Sequence, residues 1–299
     1  MTLPPPADDR PVAPRVPTRT LVHALVREDG TVDTGELYDT AAALAMTDQQ
    51  VRLCVKRLVA EGRFTHQGRG RRGLLTAARD AAGWHTPEVE FVRHAYRQDA
   101  GEAPWDGGWH LFAFAVPESA RQARDRLRQS LLYLGAAGLH GGLYVSANAI
   151  ADRVRAHARA HGAEGTLTHC TTRDLRVADV DAPRELAARL WPLDAVAARY
   201  DRLAALAQAH LDRLAGAAAL SPATLAARAL EVATAFTEAM EPDPLLPPEL
   251  LPRPWAGAHA RQLAAACWAA LLAHPAAHPG PRGLPRLFRL YADAVPRQP

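Results

Sequence analysis

The chain is poor in cysteine and in long apolar runs. Its three cysteines, Cys54, Cys170 and Cys267, lie far apart without a C-x-x-C pair. The sequence therefore predicts neither a disulfide framework nor a zinc site, and it favours a reducing, cytoplasmic location. No apolar run reaches the roughly 20 residues that a membrane helix needs, and the proline-rich N-terminus lacks the features of a signal peptide. We expect a soluble protein that makes no membrane contact.

The excess of positive over negative charge is small for the whole chain but large in one segment. The formal net charge is only +3, and Lys56 is the single lysine. Residues 49–79 nevertheless hold eight basic residues against one acid, Glu61, a local balance of +7. These eight are Arg52, Lys56, Arg57, Arg63, Arg69, Arg71, Arg72 and Arg79. A negatively charged partner is therefore expected at this segment rather than over the whole surface.

A helix with a well-marked start opens the basic segment. Thr47 and Gln50 form a T-x-x-Q capping box, in which each side chain satisfies a backbone N–H of the first turn. One apolar stripe at helical spacing predicts the packed face. The stripe comprises Val51, Cys54, Val55, Leu58 and Val59. Gln49, Arg52, Leu53, Lys56 and Arg57 point the other way and are free to contact a partner.

A glycine-rich hairpin follows this helix over residues 64–75, and two shorter helices precede it. Residues 18–27 carry an apolar stripe, and Asp33 with Glu36 marks the start of a helix that reaches residue 43. Three short helices and a hairpin predict a winged helix-turn-helix, in which the third helix enters the major groove and the hairpin wing contacts the backbone or minor groove. A charge cluster alone is more often a solvated surface, but this context favours double-stranded DNA.

The predicted DNA contacts divide into base readers and phosphate holders. Gln49, Gln50 and Arg52 are expected to read bases, and Leu53 to lie against a thymine methyl group. Lys56, Arg57 and the wing arginines are expected to hold phosphates. The full set is Thr47, Gln49, Gln50, Arg52, Leu53, Lys56, Arg57, Gln67, Arg69, Arg71 and Arg72.

The middle of the chain predicts a ferredoxin-like domain. Strands at 109–116, 143–146 and 166–172 alternate with helices at 119–134, capped by Ser119 and Gln122, and at 149–161, and a glycine-bounded segment lies between. This strand and helix order is ferredoxin-like. Such sheets often pair face to face or edge to edge, so we expect a homodimer that binds a palindromic operator.

The C-terminal part predicts helices over 186–214, 221–240, 258–273 and 284–292. The expected fold class is thus α+β and multidomain. The predicted boundaries are a disordered tail over 1–17, the DNA-binding domain over 18–82, a linker over 83–104, the ferredoxin-like dimerisation and effector domain over 105–178, and a helical C-terminal domain over 179–299.

Three segments resemble the PaaX family, the repressors of phenylacetic acid degradation. They are W-D-G-G-W at 105–109 leading through V-P-E at 116–118 to Arg121, Arg124, Leu127 and Arg128, G-L-H-G-G-L-Y-V-S at 138–146, and D-P-L-L-P at 243–247 with L-L-P at 250–252 and W-A-G at 255–257. The resemblance implies an N-terminal winged helix-turn-helix, a Cas2-like ferredoxin-like middle domain and a helical C-terminal domain. It also implies a homodimer that an aryl acyl-CoA releases from DNA.

The effector prediction rests on aromatic and charged side chains near the middle domain and the loop at 242–257. Aromatic rings could stack on a planar group and an arginine could meet an anionic one. The candidates are Trp105, Trp109, His140, Trp255, His259 and Arg261. Core packing is an equally good explanation for each tryptophan taken singly.

Enzymatic alternatives find little support in the sequence. A Cas2-like nuclease needs carboxylates to hold Mg²⁺, and the first strand offers only Glu118 beyond a proline. His157 and His161 have chelating i, i+4 spacing but lack a third ligand. We therefore expect no catalytic residue, no metal and no cofactor. A protein-interaction or architectural DNA-binding role without a small-molecule effector stays open beside the regulator hypothesis.

Overall fold

The computed structural model describes residues 14–78, 89–116, 120–216, 220–277 and 285–288. Most of the predicted disordered tail, residues 1–13, therefore lies outside the described residues. Ser119, the predicted helix cap, also lies outside them. The chain forms two compact units, which interleave along the sequence. The first unit comprises residues 1–93, 200–238 and 259–299, and the second comprises 94–199 and 239–258. The predicted domain boundaries stay a prediction, since this division follows spatial contacts rather than consecutive segments.

The first unit begins with three helices and a small sheet. The elements are α1 (Thr18–Ala24), β1 (Thr31–Asp33), α2 (Thr34–Ala43), α3 (Asp48–Ala60), β2 (Phe64–Gln67) and β3 (Leu74–Ala77). The strands form an antiparallel sheet in the order β1-β3-β2, with Val32 and His66 both opposite Leu75. The helix starts and the hairpin agree with the sequence prediction, whereas β1 was not predicted because three residues are too few to show alternation.

Packing of these helices corrects two details of the predicted apolar stripes. Val51, Val55 and Leu58 of α3 are buried, but Cys54 is only half-buried and Val59 is 37% exposed. α1 ends at Ala24, three residues before the predicted end, although Leu25 and Val26 remain buried beyond it. The core therefore takes a narrower face of α3 than the sequence suggested, and the remaining surface of the helix is open to a partner.

Long helices supply the C-terminal part of the chain. They are α7 (Pro183–Leu190), α8 (Leu193–Gly216), α9 (Pro222–Met240) and α10 (Ala256–Ala273). The prediction of one helix over 186–214 was wrong, because the chain is extended at Trp191 before Pro192, whose ring cannot continue a helix. Of the short helix predicted at 284–292, the structure describes residues 285–288, where Phe288 packs 5.9 Å from Trp268 between ring centroids.

The second unit contains the four-stranded sheet. α4 (Val89–Asp99), which begins in the first unit, makes half of the segment predicted as a linker, residues 83–104, helical. The following elements are β4 (Trp109–Phe114), α5 (Arg121–Tyr133), β5 (Ala137–Gly138), β6 (Leu143–Ser146), α6 (Ala151–Ala160) and β7 (Leu167–Thr172). All pairs are antiparallel in the order β5-β6-β4-β7. This βαββαβ arrangement confirms the ferredoxin-like topology.

Both faces of this sheet are covered within the second unit. On one face, Phe112 and Tyr144 pack with buried residues of α5 and α6. On the other, Trp109 and Val145 pack with α7, Trp191 and residues 246–251. A face-to-face homodimer of this sheet is therefore not available, and the edges β5 and β7 are the parts of the sheet that a second copy could pair with.

Candidate nucleic-acid interface

α3 begins with the capping box that the sequence predicts. The Thr47 hydroxyl accepts from the N–H of Gln50 at 3.2 Å, and the Gln50 Oε1 accepts from the N–H of Thr47 at 2.8 Å. Two backbone donors of the first turn are thereby satisfied. Gln50 also lies 3.1 Å from the Thr47 hydroxyl through the same Oε1, so its carbonyl is engaged inside the helix start. Only its amide NH₂ group is left for the predicted base contact.

The predicted contact face of α3 is open to solvent. Gln49, Arg52, Lys56 and Arg57 are exposed, and Leu53 is 48% exposed. In the described part of the chain, no carboxylate lies within ion-pairing distance of Arg52, Lys56 or Arg57. These side chains therefore present positive charge that is not neutralised from within the described residues.

The β2–β3 hairpin, residues 64–77, places a second set of basic side chains beside α3. A short 3₁₀ turn over Gly70–Arg72 forms its tip. Gly68 has a φ of +83°, and a Cβ there would lie 2.9 Å from the carbonyl oxygen of Arg72, so glycine is required at this position. Gln67, Arg69 and Arg72 are exposed at the tip, as the sequence predicts.

Arg71 differs from the other hairpin arginines because α2 and α3 hold its guanidinium. Its Nη1 pairs with Oδ1 of Asp39, and its Nη2 lies 4.0 Å from Oδ1 of Asp48. The guanidinium also lies over the Tyr38 ring, 5.5 Å from the centroid. The pair with Asp39 joins residues 32 positions apart, which sequence reasoning had no means of finding.

Thr34 attaches the base of the hairpin to the start of α2. Its side chain is 2% exposed, and its hydroxyl accepts from the N–H of Gly73 at 2.7 Å. The same hydroxyl lies 2.7 Å from the carbonyl oxygen of Gly70 and 2.8 Å from that of Gly73, and its one proton is donated to this pair. The N–H of Thr34 donates to the Gly73 carbonyl at 3.1 Å. The hairpin is thus fixed to α2 at two points, Thr34 and Asp39.

A groove between α3 and the hairpin brings the basic residues of both together. Arg52 and Lys56 line it from α3, and His66, Arg69 and Arg71 line it from the hairpin. A polyanion in this groove would meet cations from both sides, and the exposed backbone of the hairpin tip would approach it closely.

Two domain models of one family together match more than half of the chain. The model described as "PaaX protein central Cas2-like domain" matches residues 102–187, and "PaaX-like protein C-terminal domain" matches residues 191–279. The chain belongs to the PaaX family. This assignment confirms the predicted family and the Cas2-like character of the four-stranded domain, and it indicates a transcriptional regulator.

Other comparisons add little to the family assignment. Among solved structures, the uncharacterized protein Rv0674 from Mycobacterium tuberculosis is 21% identical, with a TM-score of 0.45. The match covers 79% of this PaaX-family chain and 88% of that chain. No curated protein sequence matches the chain.

The six predicted effector contacts of this PaaX-family protein fall into both units. In the second unit, Trp109 is 1% exposed, packs edge-on to Trp105 at 5.2 Å and stacks on Trp191 at 6.3 Å. Trp255 packs against the same cluster, while His140 is exposed. These tryptophans are thus part of a hydrophobic core, and their effector role stays a prediction.

The other two predicted effector contacts lie in the first unit. His259 is exposed. Arg261 is 2% exposed, and its Nη1 donates to the Tyr200 hydroxyl at 2.8 Å with the guanidinium 5.2 Å from the centre of that ring. The structure therefore places Arg261 in the interior, where its guanidinium already contacts the hydroxyl and the ring of Tyr200.

The described residues contain no group of three or more side chains suited to a metal ion. His157 lies 3.2 Å from the Ser130 hydroxyl. Burial raises the pKa of the Cys54 thiol, and it raises the pKa of Cys267 to about 12, which makes both poor nucleophiles. None of the described helices combines the length and the hydropathy that spanning a bilayer requires.

Proposed function

We propose that this PaaX-family chain is a sequence-specific DNA-binding transcriptional regulator and that residues 18–77 act as a winged helix-turn-helix. One observation carries the proposal: α3 buries one stripe in the unit and turns Arg52, Lys56 and Arg57 to solvent without a carboxylate partner among the described residues. A helix with these properties fits the major groove of DNA. No catalytic residue, metal or cofactor is part of the proposal.

In the proposed complex, α3 reads bases and the hairpin acts as the wing. Gln49 and Arg52 contact base edges and Leu53 lies against a thymine methyl group. Lys56 and Arg57 on α3, with Arg69 and Arg72 on the hairpin, hold phosphates. Gln50 takes part through its amide NH₂ group alone, since its carbonyl serves the capping box.

The regulator is proposed to be a cytoplasmic homodimer that binds a palindromic operator. The covered faces of the four-stranded sheet direct dimerisation to an edge strand or to the helices rather than to a bare sheet face. As a repressor, it would leave DNA when a small metabolite prefers the arrangement that does not bind DNA. The aryl acyl-CoA that the family resemblance implies is the first metabolite to test.

The decisive experiment is a selection of random DNA duplexes by the full chain, followed by titration of the enriched duplex. The Arg52→Ala/Lys56→Ala double variant should lose most of the affinity, while Arg126→Ala/Arg128→Ala, exposed arginines on α5, should keep it. Affinity should fall steeply as salt rises. Failure to enrich any sequence, or equal loss in both double variants, would show that α3 is not the DNA-reading element.

A second candidate function is protein recruitment without a small-molecule effector. Leu132 and Tyr133 at the end of α5 are 47% and 57% exposed, which is unusual for adjacent large apolar side chains. A Leu132→Ser/Tyr133→Ser variant that bound DNA normally but no longer regulated transcription would favour this role.

A further inference from the structure

A cavity of about 500 Å³ that is partly open to solvent lies in the first unit, between α2 and the start of α9. Glu36, Asp39, Thr40 and Ala43 of α2 line it at i, i+3, i+4 and i+7, so one complete face of that helix forms a wall. Residues 221–226 form the opposite wall. Its volume is within the range of about 300 to 1,000 Å³ typical of pockets for small molecules.

The ionised side chains that line this cavity from the described residues already have partners. Arg27 is 3% exposed and pairs with Glu36, and Asp39 pairs with Arg71 of the hairpin. The remaining surface is largely carbon, from side chains such as Leu25, Leu225 and Phe288. Thr40, Ser221 and Thr224 add hydroxyl groups at its wall.

The paired charges and the apolar surface of the cavity favour an uncharged ligand. An ion that entered would give up part of its hydration without meeting an unpaired counter-charge among the described lining residues, and that exchange is unfavourable. A neutral molecule would bury apolar surface and could bond to the hydroxyl groups. An acyl-CoA, which carries several phosphate charges, does not fit this cavity.

α2 connects the cavity to the hairpin. Asp39 lines the cavity and also holds Arg71, while Thr34 at the start of the same helix bonds to Gly73 of the hairpin. A shift of α2 by less than one side-chain width would therefore move the hairpin relative to α3, or release Arg71 from Asp39.

We propose that the cavity between α2 and α9 binds an uncharged, largely apolar small molecule, and that α2 transmits its presence to the hairpin through Asp39. The regulatory part rests on the proposed DNA-binding function, whereas the binding part does not. The expected regulatory effect is weaker DNA binding, by about tenfold, which is an ordinary size for coupling between two sites.

The binding part is tested without DNA, by thermal unfolding of the full chain with three matched probes. Tryptophol is neutral, tryptamine is a cation and indole-3-acetate is an anion of similar size. Tryptophol should raise Tm by several degrees at a concentration about a hundred times its Kd, and other uncharged aromatic alcohols and amides should act in the same way. Tryptamine and indole-3-acetate should not raise Tm. Equal or stronger effects of the carboxylates, or no effect of any neutral compound, would overturn the proposal.

Two variants locate the site. Ala43 is exposed on α2 and lines the cavity, so Ala43→Phe should fill the space and abolish the shift in Tm. Ala160→Phe, at an exposed position at the end of α6, is the control and should keep the shift. A shift that survives Ala43→Phe places the ligand elsewhere and contradicts the proposal.

The coupling part compares two carboxylates that both face Arg71. Asp39 lines the cavity and Asp48 does not. Asp39→Asn should remove the ligand's effect on DNA affinity even at ligand concentrations raised until the variant shows its own shift in Tm, and Asp48→Asn should keep both effects. If the ligand binds but the wild-type chain has no operator, the proposed function fails and the binding site stands; if DNA binding is intact and no neutral ligand binds, only the cavity proposal fails.

Discussion

The basic residues of α3 and those of the hairpin have the same chemistry but different surroundings. Arg52 on α3 extends into solvent, whereas Arg71 on the hairpin is held by Asp39, Asp48 and Tyr38. Arg52 is therefore available to a partner. Arg71 instead links the hairpin to α2 and α3, and this link positions the neighbouring hairpin residues. The positive charges of this cluster are therefore not equivalent, because Arg71 has carboxylate partners and Arg52 has none among the described residues. The DNA contact of Arg71 stays a prediction.

Removing the attachment of the hairpin should have the largest effect. Thr34→Val keeps the shape of the side chain but removes a buried hydroxyl that bonds to Gly73, so polar backbone groups lose their partner. We expect the free energy of unfolding to fall by about 3 kcal/mol. Urea unfolding measures it, with Thr65→Val on the exposed side of β2 as the control. Equal stability of both variants would mean that the hairpin does not depend on Thr34.

Removing a free cation should change sequence discrimination instead of stability. Arg52→Ala should cost about 2 kcal/mol at one operator position and leave the unfolding free energy unchanged, because the side chain is exposed and contacts no carboxylate in the described residues. Arg52→Lys should keep nonspecific affinity but lose the bidentate base contact. Titrations with single-base operator variants decide, and uniform weakening at every position would assign Arg52 to phosphate.

Arg69 and Arg71 allow an exposed arginine and a paired arginine to be compared within one hairpin. Arg69→Ala should flatten the dependence of log affinity on log salt by about one unit, since a phosphate contact is lost. Arg71→Ala should leave the slope nearly unchanged while lowering affinity through a displaced hairpin. Equal flattening of the slope by the two variants would instead support the prediction from sequence that Arg71 holds a phosphate.

The smallest effect concerns His23, which lies beneath the hairpin with its ring 5.2 Å from that of Phe64. Burial lowers the pKa of His23, and the charges of Arg19 and Arg63 lower it further. As the pH falls below about 6.5, His23 takes up a proton in the unfolded state before it does so in the folded state. The free energy of unfolding therefore decreases between about pH 6.5 and the lowered pKa of His23 in the folded state. His23→Phe should reduce this acid-induced loss, measured by urea unfolding at several pH values. An unchanged pH profile would exclude His23 as its source.

Local signals made the most reliable predictions from sequence. The Thr47 capping box, the Asp33 helix start and the glycine-rich hairpin are each set within a few residues, and the structure confirms all three. α4 was missed because prolines and charged residues on both sides of it suggested a linker. The break at Pro192 was missed because leucines and alanines continue with helical spacing on both sides of it.

Features that depend on distant residues could not be predicted in the same way. The pair of Arg71 with Asp39 needs the hairpin to be folded against α2, and no spacing rule reports it. The cavity beside α2 likewise depends on residues 221–226, which lie far along the chain. The exposed contact face of α3 was predictable, whereas the division of its basic neighbours into free and held side chains was not.

The covering of the four-stranded sheet has a consequence for how the protein is made. Gln98 donates to the carbonyl of Leu245, 147 residues later, and Leu246, Leu250 and Leu251 complete the layer over Trp109. A ribosome that has produced only the strands leaves this tryptophan without its complete cover until the final quarter of the chain emerges. The Cas2-like region is consequently dependent on late synthesis, and a fragment that contains the strands alone should be prone to aggregate.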